Sequence, residues 1–151
     1  MKKITAFLLS VIFVMGAVVN VAAAPGIEDT ARYLTNTVNT PTVASVGGEW
    51  TVIGLARSGL EVENEYFETY YANVLRYVKA RKGVLHARKH TEYARVILAL
   101  SAIGKDPENV AGYTLLPPLL DYDKTILQGI NGSIWAMIAL DSGNYGTQEI
   151  R

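Results

Sequence analysis

The chain has no cysteine. That excludes thiol nucleophiles, thiolate zinc sites, internal thioesters and every disulfide, so an exported chain of this kind holds itself together by packing alone. It also has no excess of charge, with 14 basic and 14 acidic residues among 151. Electrostatic binding to nucleic acid needs a basic face, and no such partner is expected. What is present is apolar surface. Half the residues are hydrophobic, which suits a globular chain of one domain or part of one.

Some of that apolar content lies in a leader rather than a core. Lys2 and Lys3 precede an apolar stretch from Ala6 to Val19, interrupted at Ser10, and Val21-Ala22-Ala23-Ala24 follows. Positive start, apolar centre and small-residue end are the parts of a secretory signal peptide. Pro25 disfavours cleavage after Ala24, so residues 1–23 are expected to be removed, with Val21 and Ala23 read by the peptidase. The alternative is an uncleaved anchor, since the stretch approaches the roughly 20 residues of a spanning helix. Either way the rest lies outside the cytoplasm, secreted or at the cell surface. Losing Lys2 and Lys3 leaves the mature chain with two more acids than bases.

Helical periodicity dominates from residue 27 onward. Ile27–Asn39 repeats apolar residues at helical spacing, with Glu28 and Asp29 near the positive end of the helix dipole. Ser45 offers a cap for a second helix over Glu49–Arg57, apolar on most sides and expected to be largely buried. Tyr66–Lys79 is amphipathic and reads as an outer helix, with Phe67, Tyr70, Tyr71, Val74, Leu75 and Val78 on one face. Arg81–His90 reads as a basic loop. Thr91–Gly104, capped by Thr91 and stopped by Gly104, is apolar nearly all round and reads as an inner helix. Shorter helices are expected over Leu115–Asp121 and Asp123–Leu127, then a last one over Gly132–Asp141, before a polar tail at 146–151.

Three of these segments echo one another: GGEWTVIGLARSG (Gly47–Gly59), TEYARVILALSAIG (Thr91–Gly104) and INGSIWAMIALDSG (Ile130–Gly143). Aligning their glycine stops aligns Leu55, Leu100 and Leu140, 45 and 40 residues apart. The small residues Gly54, Ala99 and Ala139 align beside them and suggest close helix approach. Repeats of this length are helical hairpins, which bury their apolar faces by stacking on neighbours.

TEYARVILALSAIGKDPENVAGY and QGINGSIWAMIALDS resemble the hairpin repeat of the terpenoid cyclase and protein prenyltransferase superfamily, nearest to the secreted α/α-toroid domains of bacterial surface proteins. The resemblance covers Ile27–Tyr145 and implies an all-α fold, a partial α/α toroid over residues 24–145. Six hairpins close the ring in that superfamily. Three are counted here, half a ring, so a fragment, a missing C-terminal half or a homodimer that completes the ring is expected. An open end built from Trp135, Met137 and Ile138 should expose apolar surface.

The resemblance directs attention to several candidate sites. Protein prenyltransferases bind zinc through aspartate, cysteine and histidine; without cysteine that activity is unsupported, and no metal or cofactor is implied. Asp121-Tyr122-Asp123-Lys124 partly imitates the Asp-rich motif of class II terpene cyclases. Lys124, however, favours carboxylate ionisation, the wrong direction for a strong general acid. His86, His90 and Glu92 alternate with cations, and a polar loop entering a helix accounts for them better than a metal site.

Glu49 and Glu92 each open an inner helix and in a toroid would share one end of the cavity, where glycoside hydrolases place an acid and a base. Helix-terminal stabilisation also explains them, and Glu92 can pair with Arg95 at i, i+3. Trp50, Tyr93 and Trp135 are the ligand-binding candidates, weighed against a role in the core. The leading expectation is a non-catalytic exported module that binds a surface polymer, a protein or a small ligand. The alternative is part of a terpene-cyclase-like, prenyltransferase-like or glycan-processing enzyme; a third reading is a truncated product with no activity of its own.

Overall fold

The computed structural model describes residues 26–45 and 47–145; the expected leader at 1–23 and tail at 146–151 lie outside the described residues. Regular structure among the described residues is helical: α1 (Ile27–Thr37), α2 (Gly48–Arg57), α3 (Asn64–Ala80), α4 (Thr91–Ala102), α5 (Pro117–Leu120), α6 (Tyr122–Thr125), a 3-10 turn (Ile126–Gln128) and α7 (Ile130–Asp141). Among the described residues, extended pairing is limited to an isolated bridge between Val110 and Tyr113. None of these helices is long and apolar enough to cross a membrane.

α4 is the centre of the molecule. It contacts both α2 and α7, and Tyr93, Ala94, Val96, Ile97, Ala99 and Leu100 are buried around its circumference. A helix apolar on all sides has no stable place except between other elements. Each fully buried aliphatic side chain contributes about 1.5–3 kcal/mol, so this row of helices carries much of the folding free energy. The aligned Leu55, Leu100 and Leu140 are all buried, as are Ala99 and Ala139. Gly54 departs from that pattern. It is exposed on α2, and a side chain built there would meet nothing within 4 Å. The close helix approach expected at this position does not occur.

α3 lies against this row through one face. Tyr70, Val74 and Val78 are buried, whereas Glu68, Arg76 and Lys79 face water. Two side chains tie it to the α1–α2 connection: Tyr66 Oη donates to the Val38 carbonyl at 2.8 Å and Asn73 Nδ2 to the Pro41 carbonyl at 2.8 Å. A 2.7 Å ion pair from Lys105 to Glu68 fastens it to the segment after α4.

Helix ends differ from the sequence expectation in instructive ways. Ser45 does not cap α2. Its hydroxyl donates to the Thr42 carbonyl, and the Glu49 carboxylate takes the neighbouring Ala44 N–H at 2.6 Å. Thr91 lies within α4 rather than before it, and its N–H is satisfied by Gln128, 37 residues away. α4 ends as expected, with Gly104 left-handed at φ 70° and Lys105 N–H donating back to the Leu100 carbonyl. This is the wrapped helix ending that glycine permits at least cost. At the end of α7 the left-handed residue is Asn144 (φ 54°) rather than Gly143.

The last helix leaves one side uncovered. Ile130 and Met137 are 75% and 64% exposed, and Ile134 and Ile138 accompany them. Gly132, Ala136, Ala139 and Leu140 form the opposite, buried side.

Candidate functional site, an aromatic cleft over an arginine

α2, α4 and α7 begin beside one another, because their first residues line one cleft. Its walls are Trp50 of α2, Thr91 and Arg95 of α4, Gln128 of the 3-10 turn, and Asn131 and Trp135 of α7; its volume is about 300 Å³. The indole rings of Trp50 and Trp135 lie 5.1 Å apart between centroids, tilted by 58°. Trp50 is 45% exposed, which departs from the largely buried α2 expected from its composition. Such a pair gains from edge-to-face and apolar contact while leaving flat surface in water.

Arg95 stands in the cleft wall beside two acids. Its Nε lies 3.9 Å from the Glu49 carboxylate and its Nη2 lies 3.6 Å from Glu92. Both contacts are longer than a hydrogen bond, and Arg95 Nε is buried with no hydrogen-bond partner among the described residues. The guanidinium is thus flanked by two acids, with its buried Nε–H left without an acceptor. Glu49 is only 1% exposed. Burial pushes its carboxyl above the usual carboxylate range, opposed by the Ala44 N–H, its own backbone N–H and Arg95. The two acids also answer the positive ends of α2 and α4.

The sequence candidates therefore separate. Trp50 and Trp135 come together at the cleft. Glu49 and Glu92 converge on Arg95 in its wall. Tyr93 is buried in the core, its phenol oxygen accepting the Leu85 N–H at 3.0 Å, and it contributes nothing to the cleft wall. Asp121 caps α6, accepting the Lys124 N–H at 3.2 Å and pairing with Lys124 Nζ at 2.6 Å. The hydrogen bond from Lys124 holds the Asp121 carboxyl below its ordinary range. Asp123 is exposed.

The two histidines are occupied locally. His86 Nδ1 accepts the N–H groups of Arg88 and Lys89. The His90 ring donates to the Pro118 carbonyl at 2.9 Å, since a carbonyl can only accept. Among the described residues, no group of three or more histidine, aspartate or glutamate side chains is placed to hold a metal ion.

Sequence reasoning missed Gln128 and Asn131, and placed Arg95 as a partner of Glu92 and as one of the cations that argue against a metal site. None of the three belongs to a hydrophobic stripe, so periodicity carries no signal for them. A larger groove, about 580 Å³, runs between α1 and the α2–α3 connection. Glu28, Glu61 and Glu63 line it, and the hydroxyl of its aromatic ring, Tyr66, is committed to Val38. Burial pushes that phenol up to about 12.

No protein-family model, curated protein or solved structure matches this chain.

Proposed function

We propose that the chain is an exported, non-catalytic binding module of α/α-toroid type, acting at the cell surface or outside the cell. The observation that carries the binding reading is the Trp50–Trp135 pair, Trp50 exposed and Trp135 half-buried, in one cleft with an arginine whose buried Nε has no hydrogen-bond partner among the described residues. Ligand sites combine apolar, preferably aromatic, walls with a few convergent polar groups, and this cleft has both. The toroid reading is supported by the order of the helices. α2, α4 and α7 form a row whose starts lie together, with α3 and the α5–α6 segment between them in sequence. Three hairpins of that kind are half of a six-hairpin ring. The export reading is supported by the leader-like composition of residues 1–23.

The two acids favour binding over catalysis. Glu49 is enclosed and spent on the Ala44 N–H and Arg95, and neither Glu49 nor Glu92 lines the cleft. They hold the guanidinium in place rather than face a substrate.

Two measurements test this. The exported protein should begin at Ala24 by N-terminal sequencing; recovery of uncleaved protein in the cytoplasm would sink the export reading. The exported protein should also sediment with isolated envelopes of the producing cells, and Trp50→Ala/Trp135→Ala should abolish that while preserving helical circular dichroism. Sedimentation that is absent, or unchanged in the double variant, removes the binding reading.

A further inference from the structure

We infer that the cleft takes an uncharged glycan, with one pyranose ring seated on the Trp50–Trp135 surface. The inference rests on the binding-module reading and deepens it by naming the ligand class.

Three observations select this chemistry. The first is the exposed indole of Trp50, with Trp135 tilted 58° beside it. A pyranose presents a face of C–H groups that lies against an indole, and Trp50 remains 45% exposed for such a contact. The second is the mixture of polar groups at the edge. Arg95 lines the cleft with a group that can only donate, and Asn131 is exposed with an amide that both donates and accepts. Gln128 has used its carbonyl and one N–H on Thr91, which leaves a second N–H. Sugar hydroxyls donate and accept at once, so they match a rim of this composition. A ligand with acceptors alone would leave the Asn131 carbonyl unanswered.

The third observation is charge. Glu49 and Glu92 flank Arg95, so the cleft has no excess positive charge to draw in a phosphate, sulfate or carboxylate. An organic cation would fit the aromatic faces, but neither acid stands in the cleft wall, where Arg95 is the one charged side chain among the described residues. A neutral ligand meets neither penalty. The volume, about 300 Å³, lies at the small end of the ~300–1,000 Å³ typical of ligand sites. That suits a short stretch of polymer lying across an open site.

The test is calorimetric titration of the exported protein with neutral hexasaccharides (β-1,4-linked glucose, xylose, mannose and N-acetylglucosamine, and α-1,4-linked glucose). Hexagalacturonate and adenosine serve as the charged and flat-ring probes. At least one neutral hexasaccharide should bind with a Kd on the order of 1 mM or tighter. Trp50→Ala and Arg95→Lys should each weaken it tenfold or more, while Trp50→Phe stays within about fivefold. Should the alanine variant lose helicity, Trp50→Leu asks the same question with an apolar side chain that is not flat.

The inference is overturned if no neutral hexasaccharide binds, if hexagalacturonate or adenosine binds more tightly, or if binding survives removal of the ring. If the neutral sugars fail while sedimentation with envelopes is still abolished in the Trp50→Ala/Trp135→Ala variant, the glycan assignment falls and the binding module stands. If both fail, both fall.

Discussion

Gln128 closes the start of α4 from outside that helix. Its Oε1 accepts the Thr91 N–H at 3.0 Å, and its Nε2 donates to Thr91 Oγ1 at 3.1 Å. The first N–H groups of a helix have no partner within it, and α4 receives one from a residue 37 positions later. The contact couples the entry of α7 to the entry of α4, and both residues stand in the cleft wall.

Replacing that side chain should therefore cost stability as a lost cap does. Gln128→Ala is expected to lower the unfolding free energy by about 1 kcal/mol, read as a shifted urea midpoint at unchanged slope. A change below about 0.3 kcal/mol would mean that water replaces the amide without penalty.

Glu49 gives stability a defined dependence on pH. Burial raises its pKa above the ordinary 4.5, so between those two values the folded chain holds the proton more tightly than the unfolded one. Ionisation of Glu49 therefore opposes folding; the penalty is complete above its folded pKa and vanishes below 4.5. Glu49→Gln retains an acceptor for the Ala44 N–H and should be at least as stable as the native chain at pH 7. The two should converge as pH falls through that window. Urea unfolding at pH 4 to 8 measures this, and a native chain clearly more stable at pH 7 would contradict it.

Two helical glycines should respond in opposite directions to alanine. A side chain at Gly132 would collide with the Thr125 carbonyl oxygen, so Gly132→Ala should cost about 3 kcal/mol, the upper end of overpacking penalties. Gly54 has open space around it, and Gly54→Ala should gain about 0.5–1 kcal/mol from chain entropy. Thermal melts of both variants decide the matter.

Tyr70 is wholly enclosed, and its hydroxyl lacks a hydrogen-bond partner among the described residues. Burial drives its pKa well above the ordinary value of 10. Tyr70→Phe removes a polar atom that folding leaves unsatisfied. It should be neutral or stabilising, against a loss of about 1 kcal/mol for a hydroxyl with a partner. Chemical denaturation distinguishes the two outcomes.

The uncovered side of α7 predicts tolerance. Met137→Lys should change monomer stability by no more than about 0.5 kcal/mol, whereas Ile97→Ala, in the enclosed α4, should cost about 2–5 kcal/mol. A large loss at Met137 would mean that this face is covered in solution.

Periodicity located α1 to α4 and α7 to within two or three residues, because each buries a stripe or a whole circumference. It also identified α4 as inner and α3 as outer. The failures share a cause. Ser45 and Thr91 have the chemistry of caps, but the competing partners Glu49 and Gln128 arrive through the tertiary fold and leave no local mark. Gly54 aligned with Ala99 and Ala139, yet its side of α2 faces water. At the cleft, Trp50 and Trp135 stood out as large aromatics among helical stripes, while Tyr93 had the same signature and went to the core. What separates them is which face of α2 or α4 meets a neighbour, and that is a property of packing angles rather than of spacing.

The chain contains two tryptophans, and both stand in the same cleft with their rings in contact. All indole emission from this protein therefore originates at one place, with no background from elsewhere in the fold. Rings this close also couple their electronic transitions, so the pair should contribute a paired-sign band to circular dichroism that disappears when either is replaced. A molecule entering the cleft would alter both signals at once, while unfolding at the far ends of the helices would leave them unchanged. The protein thus carries its own optical probe at the place where a ligand is proposed to sit.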